Sequence, residues 1–267
     1  MSSQPLVPAH RAHPLRTSLR TISALVLREM ASRYGRSPGG YMWAVLEPIG
    51  VIAILSLGFS LLMRSPPLGS SFVMFYATGF LNFNFSASMS TTRARSLRFS
   101  RSLLAYPIVS WMDAILARII LNGLTSLLVA YIVLTGVVMV TGEVVELKMG
   151  AILLSFVMAA SFGVGVGLVN CVLIGFFPVW GTVWSVVTRP LFLISGVIFI
   201  YDDFPPNIQA ILWWNPLIHA SGEMRYGFYP MYEASYASPL YVFSVALSLI
   251  ALGLVLVRRY NKDILQR

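Results

Sequence analysis

The sequence predicts an all-α polytopic membrane protein with six transmembrane helices. Of its 267 residues, 57% are hydrophobic and only 11% are charged. A soluble core of this length cannot bury so much apolar surface. Six apolar runs each come close to the roughly 20 residues with which a helix spans a bilayer. These runs lie near 43–63, 72–92, 109–140, 150–175, 180–200 and 239–258.

The segment before the first run is predicted to form an amphipathic helix in the membrane interface. Over residues 15–30 the apolar side chains recur at helical spacing, while Arg16, Arg20 and Ser23 fall elsewhere on the helical wheel. Glycines and a proline within 35–40 then break the helix and turn the chain towards the first crossing.

The division into domains follows from these runs. The polar, proline-dotted N-terminus lacks the features of a cleaved secretory signal, so we expect it to stay in the chain and in the cytoplasm. Nothing in the composition indicates a separate soluble domain. The predicted divisions are a disordered cytoplasmic tail (1–14), the interfacial helix and its turn (15–42), one six-helix transmembrane domain (43–258) and a cytoplasmic tail (259–267).

The basic residues set the predicted orientation. Six arginines lie in the first 42 residues, four lie in the loop 93–101, and four basic residues lie at or after Arg258. Lys and Arg next to a spanning segment resist translocation, so we expect these segments and both termini in the cytoplasm. The formal charge of +9 therefore indicates contact with anionic membrane lipids rather than with nucleic acid.

One sizeable outer segment, 201–238, joins the fifth and sixth runs. It interleaves aromatic residues with prolines, a composition typical of the membrane–water interface. We predict short re-entrant helices that dip into the outer interface. The neighbouring carboxylates of Asp202 and Asp203 are expected to stay solvated.

Residues that would support catalysis or nucleotide binding are scarce. A phosphate-binding loop requires a lysine directly after a glycine, and neither Lys148 nor Lys262 follows one. Any ATP must therefore be bound by another polypeptide. Two of the three histidines lie in the N-terminal tail and the third is His219, so no metal site is predicted. The single cysteine, Cys171, predicts no internal disulfide and is expected to serve packing.

Three glycines at alternate positions of the fourth run, Gly163, Gly165 and Gly167, do not match a dinucleotide-binding fingerprint. Small residues let helices approach closely in membranes. We therefore predict that these glycines serve close helix packing.

Ionisable residues inside or beside the apolar runs are candidates for a gate or substrate path. Such a group costs several kcal/mol at membrane depth unless it is paired or faces water. Glu47, Asp113, Arg118 and Arg189 meet this description, and we predict that Glu47 pairs with Arg118 or Arg189. A structural role and a substrate path explain Glu47 and Arg189 equally well.

Aromatic residues offer stacking surfaces for sugar rings. Tyr76, Phe80, Phe83 and Phe85 lie along the second run and are candidates for lining a path. Position favours the ordinary aromatic belt for Trp43 and the other tryptophans near the run ends.

Three stretches together carry a resemblance to one family. They are 33–43 followed by Leu46-Glu47-Pro48, 106–109 with Asp113 and Ala117-Arg118, and 214–219 followed by 223–225 and 228–230. The chain resembles the capsular polysaccharide export permeases of Gram-negative bacteria, which are membrane subunits of type 2 ABC exporters. The similarity runs in the same order from about residue 18 to the end.

This resemblance implies an assembly. Two six-helix subunits form a homodimer above a dimer of cytoplasmic ABC ATPases, which bind ATP and Mg²⁺, so that this chain itself holds no cofactor. A periplasmic co-polymerase and outer-membrane export proteins are the further partners implied. The implied cargo is a lipid-linked capsular polysaccharide, moved across the bacterial inner membrane.

The resemblance also implies roles for residues. A coupling helix within the loop 93–108 is implied to contact the ATPase, although a solvated, orientation-setting loop explains its charge as well. The residues concerned are Arg93, Arg95, Arg98, Phe99, Arg101 and Leu103. The motif before the first crossing contributes Arg33, Tyr34, Ser37, Gly40 and Trp43. In the outer segment, His219, Glu223 and Arg225 form either an outer gate or a structural cap.

Other functions remain open at this point. The same kind of exporter can serve O-antigen, teichoic acid or another glycolipid. A secondary transporter is disfavoured because the chain shows no inverted repeat and few intramembrane acids. A membrane enzyme acting on a lipid-linked sugar would have to use His219 and Glu223, the one plausible pair.

Overall fold

The structure, a computed structural model, describes residues 14–34, 39–94, 111–142 and 146–266. Within these ranges the chain forms helices and connecting turns and contains no strand. The α-helices are α1 (Pro14–Tyr34), α2 (Gly40–Leu62), α3 (Phe72–Ala94), α4 (Trp111–Thr141), α5 (Met149–Phe176), α6 (Trp180–Ile194), α7 (Pro206–Leu212), α8 (Pro216–Phe228) and α9 (Pro239–Gln266). A 3₁₀ turn spans Tyr201–Asp203.

The predicted helix before the first crossing is present as α1. The predicted break after it falls on a glycine in the left-handed region, because Gly39 has φ 79° immediately before α2. Only glycine adopts this conformation without strain, which is why the chain turns here. Of the tail expected over 1–14, residues 1–13 lie outside the described residues, and residue 14 belongs to α1 instead.

Four helices in the described ranges are long and apolar enough to cross a membrane. They lie within α2, α4, α5 and α9, at Met42–Leu62, Met112–Thr141, Met149–Phe176 and Pro239–Asn261. α3 has the predicted bounds to within two residues, yet it carries amide and hydroxyl side chains along its second half.

Two predicted runs end elsewhere than expected: α9 continues to Gln266 instead of ending near residue 258, and α6 ends at Ile194 instead of near residue 200. Its 15 residues span about 22 Å. Gly196 follows with φ 72°, a left-handed conformation that stops the helix and turns the chain towards α8. The early end leaves the carbonyl groups after residue 195 free to accept hydrogen bonds from other elements.

α5 is the central helix, packed along its length against α3 and α9. A Cβ added at Gly163 would lie 2.5 Å from the Ser86 backbone oxygen of α3, and one at Gly165 would lie 2.7 Å from Leu249 Cβ of α9. The predicted packing role of these two glycines is confirmed. Cys171 is buried in the same helix, as expected.

The main core lies where α3, α5 and α8 meet. Met74, Phe75 and Tyr76 of α3 are fully buried there, together with Met158 of α5 and Met224 of α8. The short helices after residue 200 therefore cover one end of the bundle through direct contact with its central helices. This arrangement confirms short helices in the segment 201–238, while their re-entry into a membrane stays a prediction.

Candidate functional site

The first candidate region is the contact between α1 and the start of α4. Arg118 Nε donates to Glu29 Oε2 at 3.1 Å, and the Arg118 side chain is only 4% exposed. Ser18 Oγ donates to Oδ1 of Asp113, which lies on α4 five residues before Arg118. Two polar contacts thus tie α1 to the helix that follows the loop 93–108. We call these two contacts the α1–α4 clasp.

The predicted pairing of Glu47 was therefore wrong. Arg118 is already committed to Glu29, and within the described part of the chain Glu47 makes no ion pair. Glu47 and Arg189 are both exposed, on α2 and α6 respectively. Sequence reasoning missed Glu29 because the docking of α1 on α4, which brings the two charges together, depends on tertiary packing.

Glu47 instead faces a cavity between α2, α3 and α4, with a volume of about 290 Å³. We call it the α2–α4 cavity. Its polar lining residues are Glu47, Asn84, Ser88, Thr91, Asn122, Thr125 and Ser126. Ser126 Oγ donates to Ser88 Oγ at 3.4 Å across its wall, and Asn122 Nδ2 donates to the Arg118 backbone oxygen at 2.9 Å. The cavity therefore adjoins the α1–α4 clasp.

The aromatic residues proposed for a path lie in the core of the subunit. Tyr76 is fully buried, and Phe80 and Phe83 are also buried, each packing edge-on against Phe192 of α6. Phe85 packs edge-on against Phe156 of α5. Within one chain these rings hold α3 against its neighbours, and a role in lining a path stays a prediction.

In the outer segment, Arg225 is 1% exposed and lies at the centre of a buried polar cluster. Its guanidinium donates to the Phe199 oxygen at 2.7 Å and to the Val197 oxygen at 3.3 Å. The same group lies over the Phe75 ring, 4.2 Å from its centroid. The carbonyl groups that follow α6 and an aromatic face thus hold this cation, and its burial lowers the pKa of Arg225.

His219, on the same helix as Arg225, is also fully buried. Its Nε2 lies 2.7 Å from the Trp213 oxygen, and its Nδ1 accepts from the Ser238 backbone N–H at 3.2 Å. Only a neutral imidazole with its proton on Nε2 satisfies both contacts. Burial accordingly lowers the pKa of His219 below its ordinary value of 6.5.

The start of α8 explains the sequence around Asn215. The Asn215 side chain accepts from the Leu217 N–H at 3.1 Å, and Pro216 occupies the first helical turn, where no N–H is required. Asn215 Nδ2 also donates to the Ile194 oxygen at 3.0 Å. One side chain thereby caps α8 and ties it to the end of α6.

Glu223 differs from its neighbours on α8 because it is only half-buried, although burial still raises the pKa of its carboxyl group. The Tyr232 hydroxyl donates to Asp202 Oδ2 at 3.0 Å. Asp202 is exposed, as expected of a solvated carboxylate, and it also accepts this hydrogen bond, which the sequence did not indicate.

The remaining predicted residues that the structure describes lie near the ends of α1, α2 and α3. Arg33 and Tyr34 are the last residues of α1, Gly40 is the first of α2, and Trp43 is 62% exposed. Arg93 is in the last turn of α3. Ser37, Arg95, Arg98, Phe99, Arg101 and Leu103, and with them the predicted coupling helix, lie outside the described residues.

Residues 20–229 match the family described as ABC-2 type transporter, so that the match covers most of the chain. The chain belongs to this ABC-2 family. The resemblance inferred from the motifs is thereby confirmed.

Several relatives match this ABC-2 protein over 92% of its length. The polysialic acid transport protein KpsM of Escherichia coli is 31% identical over 248 residues, which is 95% of the relative. The capsule polysaccharide export inner-membrane protein CtrC of Neisseria meningitidis serogroup B is 28% identical over 246 residues, 92% of its length. The protein BexB of Haemophilus influenzae, with the same description, is 26% identical over 245 residues and 92% of its length.

Sequence reasoning about this ABC-2 protein missed the residues that complete its polar regions. Glu29 and Ser18 were overlooked because they look like ordinary surface residues of an amphipathic helix. Asn84 and Asn122 were overlooked because no single helix gathers the lining of the α2–α4 cavity. A helical-wheel projection of α3 and α4 that marked polar residues at membrane depth would have found Asn84 and Asn122.

Proposed function

We propose that this chain is the membrane subunit of an ATP-driven exporter that moves lipid-linked capsular polysaccharide from the cytoplasm to the periplasm. The observation that carries this proposal is the match to inner-membrane proteins named for capsule polysaccharide export, at 26–28% identity over at least 92% of each chain. Membership of the ABC-2 family supports the transport chemistry, and four membrane-length apolar helices support a multi-pass protein.

The proposed working unit is a homodimer on a dimer of ABC ATPases, with six crossings per subunit and both termini in the cytoplasm. α3 and α6 supply the two crossings beyond the four that length and hydropathy identify. Neither lysine of this sequence follows a glycine, which supports a separate ATPase chain that binds ATP and Mg²⁺. Periplasmic co-polymerase and outer-membrane proteins would receive the polymer.

In the proposed mechanism, the closing ATPase dimer presses on the loop 93–108. Arg98, Phe99 and Leu103 make that contact, and α4 carries the motion to the seam between the two subunits, where the polymer passes. The α1–α4 clasp supports this route, because it joins α1 to the turn of α4 that follows the loop. α1 would then move together with α4.

The geometry of α8 argues against the membrane-enzyme alternative. An acid–base pair needs a histidine nitrogen free to meet substrate, yet both nitrogens of His219 are engaged by backbone groups. For the outer segment, the same contacts and those of Arg225 favour a structural cap over a working gate.

Deletion of the gene in its own host tests the proposed function. We expect full-length polymer to accumulate inside the cells, measured by antibody and sugar analysis on intact cells and on lysates. No polymer anywhere would indicate a role in synthesis. An unchanged surface coat would contradict the capsule assignment and leave a transporter for another glycolipid.

A charge reversal tests the coupling contact. Arg98→Glu is expected to abolish most polymer export while the protein level in the membrane stays unchanged, because the substitution places a carboxylate against the proposed acidic groups of the ATPase. The matched control is Arg64→Glu, an exposed arginine between α2 and α3. Full export by the Arg98→Glu protein would exclude the coupling role.

A further inference from the structure

We propose that the α2–α4 cavity, which is lined by three helices of one chain, binds the sugar head group of the exported glycolipid. The inference rests on the proposed function, because it names where that cargo is held. The volume of the cavity, about 290 Å³, is near the lower end of the roughly 300–1,000 Å³ that small-molecule sites occupy.

The cavity presents hydrogen-bond acceptors that the fold itself leaves unused. Within the described chain the carboxylate of Glu47 makes no ion pair, although a charged group at membrane depth requires a partner or water. Pro48 follows it inside α2 and has no N–H, so the carbonyl of Ala44 loses its usual helical donor. Ala44, Glu47 and Pro48 all line the cavity.

The opposite walls present groups that both donate and accept. Asn84 of α3 and Thr125 of α4 are half-buried and reach the cavity beside the Ser88–Ser126 pair. An amide supplies two donors and two acceptor positions, and a hydroxyl supplies one donor and two. A ligand that matches this lining must itself carry several hydroxyl groups, each able to donate to Glu47 and to accept from an amide.

The charge of the described lining favours a neutral ligand over an anionic one. Among the residues that the structure describes, the cavity is lined by one carboxylate and by no lysine, arginine or histidine. A phosphate or a uronic-acid carboxylate would meet repulsion from Glu47, and no cation of this described lining would compensate it. A neutral sugar ring, with its dense array of hydroxyl groups, meets none.

The position of the cavity fits the loading of a cargo made in the cytoplasm. It is formed by the first turns of α2 and the last turns of α3, the end of the bundle that the arginine pattern assigns to the cytoplasm. Asn122, in its wall, donates to the backbone of Arg118, which belongs to the α1–α4 clasp. Occupancy of the cavity is thus adjacent to the helices that the ATPase is proposed to move.

Site-specific photo-crosslinking in polymer-producing cells tests the site. Benzoylphenylalanine in place of Ser126 points a reactive group into the cavity, and the same group in place of Leu128 points it to the exposed face of the same helix at the same depth. We expect polymer adducts, detected with antibody to the surface polymer, at position 126 and only background at position 128. Introducing Glu47→Gln should lower the adduct at 126 about tenfold, the ratio given by one hydrogen bond to a charged group.

A second measurement covers the case in which the bulky group disturbs folding. A chain with Ser126→Cys and Cys171→Ala holds a single thiol in the cavity, because Cys171 is the native chain's only cysteine. Its labelling by a small polar maleimide in inverted membrane vesicles should be slower when the host makes polymer than when synthesis is deleted. Leu128→Cys in the same Cys171→Ala background should be labelled at the same rate whether or not the host makes polymer.

Three results would overturn the site. They are equal amounts of adduct at positions 126 and 128, adducts with phospholipid alone, and labelling of Ser126→Cys at the same rate with and without polymer. These results would leave the proposed function standing wherever gene deletion still traps polymer inside the cell. Failure of the deletion test would instead remove the cargo itself, so the two failures are distinguishable.

Discussion

Two polar regions at opposite ends of the bundle differ in whether their side chains find hydrogen-bond partners within the fold. In the outer segment, Arg225 and His219 are buried and each is held by backbone groups of the same chain. In the α2–α4 cavity, Glu47 and Asn84 face open space instead. Hydrogen-bonding groups that are satisfied within the fold stabilise it, whereas those that are left to face a cavity remain available to a ligand. The comparison separates side chains that stabilise the fold from a candidate binding site.

The largest expected effect on stability is at Arg225. Arg225→Ala leaves the Phe199 and Val197 carbonyls without their donor and empties the space over Phe75, so we expect a loss of roughly 3 kcal/mol. Thermal unfolding of the purified protein in detergent measures it. Arg225→Lys, which keeps the charge and loses the forked geometry, should lose less. Arg258→Ala, at an exposed position of α9, is the control, and equal loss there would contradict the assigned role.

A smaller, pH-dependent effect is expected at His219. Because the folded-state pKa is lowered, the unfolded chain binds more protons below pH 6.5. The stability contribution is therefore complete above pH 6.5 and falls as pH drops through that value, by at most about 1.4 kcal/mol per unit. Unfolding midpoints measured on either side of this pH should show that slope, and His219→Gln, which cannot titrate, should reduce it. His13→Gln serves as control, and an unchanged slope in His219→Gln would exclude His219 as its source.

The smallest effect on stability is expected at Glu47, where the comparison is sharpest. Glu47→Gln removes a charge that makes no ion pair within the described chain, so the unfolding free energy should change by less than about 0.5 kcal/mol. Polymer export should nevertheless fall clearly, measured as surface polymer per unit of membrane protein. Glu233→Gln, an exposed carboxylate of the outer segment, should change neither quantity. Marked destabilisation by Glu47→Gln would indicate that Glu47 stabilises the fold and would contradict its role in the candidate binding site.

The fold could be predicted from the sequence wherever one helix decides its own limits. Hydropathy and helix breakers located α1 to α5 and the start of α9, and the motif at Asn215 and Pro216 matches a helix start made by local contacts. The early end of α6 could not be predicted in this way. It follows from the turn at Gly196, which is fixed by the packing of α8 against it.

The sites show the same limit more strongly. Sequence reasoning singled out Glu47 and Arg118 because charges at membrane depth are rare, but it paired Arg118 with the wrong carboxylate. The correct partner, Glu29, is 89 residues away on a helix whose docking no local pattern specifies. The α2–α4 cavity has the same origin, since three helices each contribute a few polar positions that have no meaning along a single one.

The burial of Arg225 has a consequence for how the outer end of the protein responds to its surroundings. Dissolved ions screen charges that water can reach and act much less on those enclosed by protein. A cation enclosed by carbonyl dipoles and an aromatic ring is therefore insulated from ionic strength and from the headgroup composition of the bilayer. The packing around Arg225 can keep one shape while the surrounding salt content changes, whereas exposed arginines at the other end of the bundle, such as Arg20 and Arg258, remain sensitive to both.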